Sequence, residues 1–434
     1  MKGRDGVDSE AVPNRTGFVR WDRREGLPRK VVCVGDSITY GAVGPALPSL
    51  GVVGWVDQLR AALSDGNGLP GGGFRGLWRS DEWTRTGAWT RTTATESFDV
   101  APFGYGYFSS GSPADALTWT KPDWMAVAGF DLYWFHMTGT GDWQYRVDGG
   151  EWRESAARSA PVDNRLHRLS VAEAVTSRIE IRGRDNAGGC IAPIAGISTF
   201  AQLPVPSATV VHNLGCPGHW LTGFCRASTG DPLALLDDLR PDLMTVLFSN
   251  DAMFEMSARF GAQLRVLVDR ARDYADVLLI SPFEQRSHRR VDDAITVGGS
   301  LVLRSSMASF GPADLSRAVA GTNIPNRARI VSVLSAQSVT MSHAATGSSE
   351  FGELVIGRRR TPAQQSAHRT ITAEVAQTTG CAFLDLYDAW AAIAGAGWDA
   401  ANAQGFMADA LHPSQLGHDD IVTRVKAMLR VDPR

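Results

Sequence analysis

The chain has 434 residues, enough to bury a large core and to form two or three domains. Its 44% hydrophobic and 21% charged residues are ordinary for a globular protein, and a net charge of −3 offers no electrostatic footprint for nucleic acid or an anionic membrane. Five cysteines (Cys33, Cys190, Cys216, Cys225 and Cys381) are odd in number and lack metal-ligand spacing, which argues against a disulfide framework or a metal centre; the spacing of Cys216 and Cys225 leaves one pairing open.

Residues 1–28 are polar and mixed in charge and read as an arm or linker. Val31–Val34 are apolar, as in a strand buried on both faces. Gly35-Asp36-Ser37 breaks the run, and a helix is expected from Ile38, so the chain turns sharply at a serine. Such a turn exposes the hydroxyl, and the helix N-terminus favours the negative charge that develops in acyl transfer. An amphipathic helix at 54–63 and a glycine-rich stretch complete the first half of a βαβ unit.

The pattern changes between 74 and 205, which holds eight of the thirteen tryptophans. Short alternating runs at 130–137, 143–152 and 177–183 are separated by turn signals, with VDGG at 147–150 as a hairpin turn. This predicts an all-β sandwich inserted into the α/β unit.

The α/β rhythm returns from 206. Strands are expected at 208–215, 243–251, 276–285 and 381–388, and helices at 231–241, 260–274, 362–379 and 414–430. The stretch 287–360 has poor periodicity, with β-like pieces at 329–335 and 352–357, and reads as a second insertion or large loop. The core domain therefore comprises 29–73 and 206–434.

Ser37 needs a base, and the base needs an orienting acceptor. Asp409 and His412 lie three apart before Pro413-Ser414, which opens the last helix; on a short turn the carboxylate reaches one ring nitrogen and leaves the other for Ser37. Gly215 and Asn250 end two further strands and offer a backbone and a side-chain donor for an oxyanion. Read singly, Gly215 is equally a turn glycine and Asn250-Asp251 a turn or helix cap. In open parallel sheets, however, sites form beyond the carboxyl ends of the strands. His212 and His219 flank the glycine, with ordinary polar packing as the simpler reading. His418 is expected to be solvated.

Four blocks in this order resemble the SGNH (GDSL) hydrolase family: Gly35-Asp36-Ser37-Ile38-Thr39, Asn213-Leu214-Gly215, Ser249-Asn250-Asp251 and Asp409-Ala410-Leu411-His412. The resemblance covers about 29–72 and 206–434, without 287–360. It implies a three-layer α/β/α, flavodoxin-like core and a serine esterase without cofactor or metal. Ser37 would be the nucleophile, His412 the base and Asp409 its orienter. The amides of Ser37 and Gly215 and the side chain of Asn250 would form the oxyanion hole, with Asp36 and Asp251 in support. One departure is Phe248, where the family commonly has glycine, next to the expected pocket wall.

The inserted β domain resembles the carbohydrate-binding-like jelly rolls that accompany some carbohydrate esterases of this family. The expected substrate is then an O-acylated, in particular O-acetylated, polysaccharide. Core packing is the simpler role for any one tryptophan, with one or two expected on a glycan-facing surface. A lipase or thioesterase is the alternative within the same chemistry. A phage tail or surface adhesion protein, assembled into a larger structure, is the alternative outside it. Residues 1–17 carry no apolar leader and no run reaches about 18 apolar residues, so neither a secretory signal nor a membrane span is expected. A cytoplasmic or virion-associated location follows.

Overall fold

The computed structural model describes residues 17–23, 27, 29–43, 54–63, 73–76, 82–93, 106–110, 112, 114–123, 125–136, 141–155, 166–184, 193–200, 209–217, 219–226, 232–249, 251, 257–285, 288–315, 317–325, 328–357, 362–395, 398–409 and 411–431. The chain divides into two compact units, one of Met1–Phe283, His368–Ala396 and Ala400–Arg434, the other of Glu284–Ala367 and Gly397–Asp399.

In the first unit five parallel strands form one sheet: β1 (Lys30–Gly35), β2 (Val210–Gly215), β3 (Leu243–Leu247), β4 (Asp276–Ile280) and β5 (Ala382–Leu384). Their spatial order is β2-β1-β3-β4-β5. The winding therefore reverses between β1 and β3, and in sheets of this order the crevice beyond that pair is the place for a site. Strands β3 and β4 are buried at every position, which is why the sequence shows continuous apolar runs there instead of alternation. Strand β5 is shorter than the 381–388 expected. It stops at Leu384 because the Asp385 carboxylate accepts the Asp388 amide and caps a helix, Leu386–Ala394.

Strand β2 lies at the edge of the sheet, and its open side is closed by two residues from before the β insert. The buried Arg60 donates from Nε and Nη2 to Val211 O at 3.2 and 3.0 Å. Gly73 passes so close that a Cβ there would fall 1.8 Å from the same carbonyl oxygen. Covering an edge in this way removes a template for wrong pairing.

Within the segment expected as an arm, Val19–Arg23 is a short helix. Its Trp21 is 1% exposed, with its amide donating to Asp276 Oδ2 at 2.7 Å and its indole to Leu429 O at 3.2 Å. Phe18 is buried beside it.

Between β1 and β2 the chain forms two antiparallel sheets. In one, Leu166–Val171, Gly129–Phe135, Ile194–Phe200, Gly106–Ser109 and Thr90–Thr93 lie side by side, and Gly73–Gly76 also pairs with Ile194–Phe200. In the other the order is Trp83–Thr86, Ala116–Thr120, Arg178–Gly183, Trp143–Val147 and Arg153–Glu154. Both contribute to one core, with Trp83, Trp119, Trp143 and Ile179 from the second sheet and Phe130, Leu132, Trp134 and Ile197 from the first. Gly129–Phe135 is buried along its whole length because it serves two cores. Phe130, Leu132 and Trp134 face the sandwich, whereas Tyr133 and Phe135 join Val32, Leu214 and Phe74 against the α/β sheet. The turn after Trp143–Val147 places Asp148 and Gly149 at φ 50° and 77°, the left-handed geometry a tight hairpin requires.

Core packing accounts for most of the tryptophans here. Trp83, Trp89, Trp119, Trp134 and Trp143 are buried. Trp152 is partly exposed, and the guanidiniums of Arg182 and Arg146 stand over its ring at 4.0 and 4.6 Å. Trp78 and Trp124 lie outside the described residues.

The second unit holds the stretch of poor periodicity. Six antiparallel strands run in the order Val319–Gly321, Ser349–Gly357, His288–Thr296, Val302–Arg304, Ser338–Met341 and Ile330–Ser335. Val291, Leu303, Phe310, Val339, Leu354 and Ile356 form its core. Register shifts at Val291/Ala294, Ile330/Ser332 and Val333/Ser335 interrupt the two-residue alternation, so the sequence pattern is blurred there. Among the described residues no helix is long and apolar enough to cross a membrane.

Candidate active site

Strand β1 ends at Gly35, and Ser37 opens a single helical turn, Ser37–Tyr40. The sharpness of this turn has a local cause. A side chain at residue 35 would fall 2.2 Å from Leu247 O at the end of β3, so only glycine fits. Asp36 caps the turn, its Oδ1 accepting the Ile38 amide at 2.9 Å. Thr39 Oγ1 donates to Leu247 O at 3.2 Å and ties the turn to the neighbouring strand. As first residue of the turn, Ser37 keeps an amide without an intrahelical acceptor.

The partners of Ser37 come from 372 and more residues away in sequence, on a loop pinned at both sides. Met407 and Pro413 form an antiparallel bridge, the Ala408 amide donates to His412 O at 3.0 Å, and the Ser414 amide donates to Phe406 O at 2.8 Å. Within this loop Asp409 Oδ1 accepts the amides of Leu411 and His412 at 2.6 and 2.7 Å. Its other oxygen, Oδ2, lies 2.9 Å from His412 Nδ1, and His412 Nε2 lies 3.0 Å from Ser37 Oγ. With Nδ1–H donating to the Asp409 carboxylate, Nε2 presents a lone pair to the serine hydroxyl. Burial alone would raise the Asp409 carboxyl, but the His412 ring and the two backbone amides outweigh it and hold the group below its ordinary value.

Gly215 sits beside this assembly. Its amide donates to Asn213 Oδ1 at 2.9 Å. A Cβ on Gly215 would lie 2.2 Å from Tyr40 N and 2.6 Å from Thr39 C, so the residue is glycine because the backbone of the Ser37 turn packs on it. Asn250 lies outside the described residues. Asp251 is fully buried, and its two carboxylate oxygens accept the Leu221 amide at 3.2 and 3.0 Å. It thereby fastens the segment after β3 to the first turn of the helix Leu221–Arg226 that follows β2. The Phe248 ring turns into the core, 2% exposed and edge-on to Phe224 at 5.9 Å between centroids.

The three other histidines weighed in the sequence, His212, His219 and His418, are all buried. His418 is not solvated: it is 0% exposed, with Nε2 3.1 Å from Ala42 O and Nδ1 accepting the Trp55 amide at 3.4 Å. Burial pushes it down to about 4. The periodicity of the last helix does not mark its first turn as core, so its burial is not visible in the sequence. Burial also pushes His212 down to about 3 and His219 to about 4. Cys216 and Cys225 are both free thiols, as are Cys33 and Cys381. Asn213 escaped the sequence reading as a functional element, although a polar side chain two residues before a strand-ending glycine is a signal for such a bracing role.

No protein-family model matches the chain, and no curated protein matches it in sequence. Among solved structures, a peptidoglycan O-acetylesterase superposes with a TM-score of 0.56 at 15% identity, covering 97% of each chain. A lipase/acylhydrolase from Enterococcus faecalis matches 52% of this chain and 80% of its own (TM-score 0.29, 16% identity), and a family two carbohydrate esterase from Cellvibrio japonicus 80% and 99% (TM-score 0.27, 10% identity). The chain shares its fold with the first of these: a parallel α/β core carrying inserted antiparallel sheets.

Proposed function

We propose that this protein is a serine ester hydrolase that removes O-acyl groups, O-acetyl in particular, from a polysaccharide or glycoconjugate. The observation that carries the reading is the unbroken relay Ser37 Oγ–His412 Nε2 and His412 Nδ1–Asp409 Oδ2, at 3.0 and 2.9 Å, beyond the carboxyl end of β1. A hydroxyl, an imidazole and a carboxylate so disposed are suited to acyl transfer.

In this mechanism Ser37 Oγ attacks the ester carbonyl carbon while His412 Nε2 takes the hydroxyl proton. The carbonyl oxygen becomes an oxyanion that the Ser37 amide meets, with the Asn250 side chain proposed as a second donor. Collapse of the tetrahedral intermediate breaks the bond to the sugar oxygen, which leaves with the proton from His412. Water then gives a proton to His412 and attacks the acyl-enzyme, releasing the carboxylic acid and restoring Ser37. Throughout, Asp409 holds the ring orientation and stabilises the imidazolium. The Gly215 amide, which donates to Asn213 Oδ1 at 2.9 Å, is proposed as a third donor that turns from Asn213 to the oxyanion.

The glycan substrate is supported by the likeness to the peptidoglycan O-acetylesterase, which extends over nearly the whole chain and so includes the β insert. The test is acetate release from a panel of O-acetylated glycans, peptidoglycan among them, beside 4-nitrophenyl esters of increasing chain length. Acetate release from at least one glycan and preference for the acetyl ester are expected. Strong preference for long acyl chains with no acetate released would overturn the glycan assignment.

A further inference from the structure

We infer that His418 is a positioning residue for the reaction, holding the Ser37 turn in register with the loop that carries His412. The inference rests on the serine-hydrolase reading above. His418 has two ring nitrogens, and each meets a different backbone segment. Nε2–H donates to Ala42 O at 3.1 Å, and Nδ1 accepts the Trp55 amide at 3.4 Å. Both contacts are satisfied only by the neutral ring with its proton on Nε2, the form that burial favours.

The connection runs directly to the reacting groups. The amides of Ala42 and Gly41 both donate to Ser37 O, at 2.8 and 3.1 Å, so Ala42 is the residue that closes the Ser37 turn. On the other side, the His418 amide donates to Ser414 O at 3.0 Å, and Ser414 in turn donates to Phe406 O, at the foot of the His412 loop. The neighbouring Gly417 lets the helix approach that loop, since a Cβ there would lie 2.3 Å from Phe406 O. His418 is thus the side chain through which the last helix grips the nucleophile turn, six residues beyond the base. Trp55 opens the helix Trp55–Ala62, and Gly54 and Gly41 pack backbone to backbone beside it, a Cβ on Gly54 falling 2.5 Å from Gly41 Cα. The ring therefore ties Ala42, at the close of the Ser37 turn, to the start of the helix Trp55–Ala62. A serine and a histidine on elements so distant in sequence need such a tie, because a misplacement of about 1 Å costs on the order of a hundredfold in rate.

The test compares wild type, Ser37→Ala, His418→Phe and His418→Gln as full-length proteins. The readouts are steady-state hydrolysis of 4-nitrophenyl acetate and the rate at which a fluorophosphonate labels Ser37, with circular dichroism to establish folding. In His418→Phe, kcat is expected to fall at least tenfold with KM changed less than twofold, and labelling to slow in parallel. His418→Gln, whose amide reaches Ala42 O, is expected to recover part of both. Should His418→Phe not fold, His418→Asn carries the test with the same expected loss. A folded Phe or Asn variant with wild-type kcat and labelling rate would overturn the positioning role and leave the nucleophile assignment intact. Wild type that is not labelled at Ser37 would overturn both.

Discussion

The amide of Gly215 donates to Asn213 Oδ1 at 2.9 Å, while Asn213 Nδ2 donates to Tyr40 O at 3.4 Å. One side chain thus braces the end of β2 and the end of the Ser37 turn together. The glycine is needed for contact between the two backbones. Gly215→Ala should therefore cost about 1–3 kcal/mol by overpacking and lower kcat by displacing Ser37. Thermal melts and steady-state kinetics check this, and an unchanged melting temperature would refute the packing role.

In the proposed reaction Asp409 acts through its hold on His412. Asp409→Asn keeps the shape but favours the wrong ring tautomer, and a loss on the order of 10³–10⁴ in kcat is expected. Its KM should stay close to wild type. A fall of less than tenfold in kcat would show that His412 is oriented by something else.

Acid should weaken the fold before it titrates ordinary carboxylates. His418 binds its proton near pH 4 when folded and near its ordinary value of 6.5 when unfolded. Between those values the unfolded chain holds more protons, so stability falls as pH drops from 6.5 and the loss levels off below about 4. His212 and His219 are depressed in the same direction and add to the slope. For His418 alone the effect is on the order of 3 kcal/mol. Asp409, held below its ordinary 3.8, contributes stability that disappears only as pH falls through that lower range. Urea midpoints measured from pH 7.5 to 4.5 should decline, and less steeply in His418→Gln. A flat profile would contradict the burial of these rings.

The β insert should tolerate loss of Trp152 far better than loss of Trp119. Trp119 is 0% exposed, and its indole donates to Glu82 Oε2 at 3.1 Å. Trp119→Ala should cost about 3–5 kcal/mol, whereas Trp152→Ala removes a partly exposed ring stacked by Arg146 and Arg182. Equal melting temperatures for the two variants would contradict this.

The sequence made the parallel core legible because β1, β3 and β4 are buried on both faces and read as unbroken apolar runs. The serine turn and the Asp409/His412 spacing were legible for a related reason: each is a local motif whose geometry is set within a few residues. What stayed hidden depends on distant contacts. His418 is polar and lies on the last helix, and only the approach of Ala42 and Trp55 makes it a buried bridge. Gly215 reads the same whether its amide faces a ligand or the Asn213 side chain. In the second unit, register shifts interrupted the alternation at several points, so only the strands at Ile330–Ser335 and Ser349–Gly357 left a β-like pattern in the sequence.

The most direct test of Ser37 as nucleophile is peptide mapping after reaction with a fluorophosphonate, with residual activity on 4-nitrophenyl acetate followed in the same samples. A single adduct on Ser37, formed in proportion to lost activity and absent from an inactive Ser37→Ala, is the result expected. An adduct on another residue, or a Ser37→Ala variant as active as wild type, would contradict it.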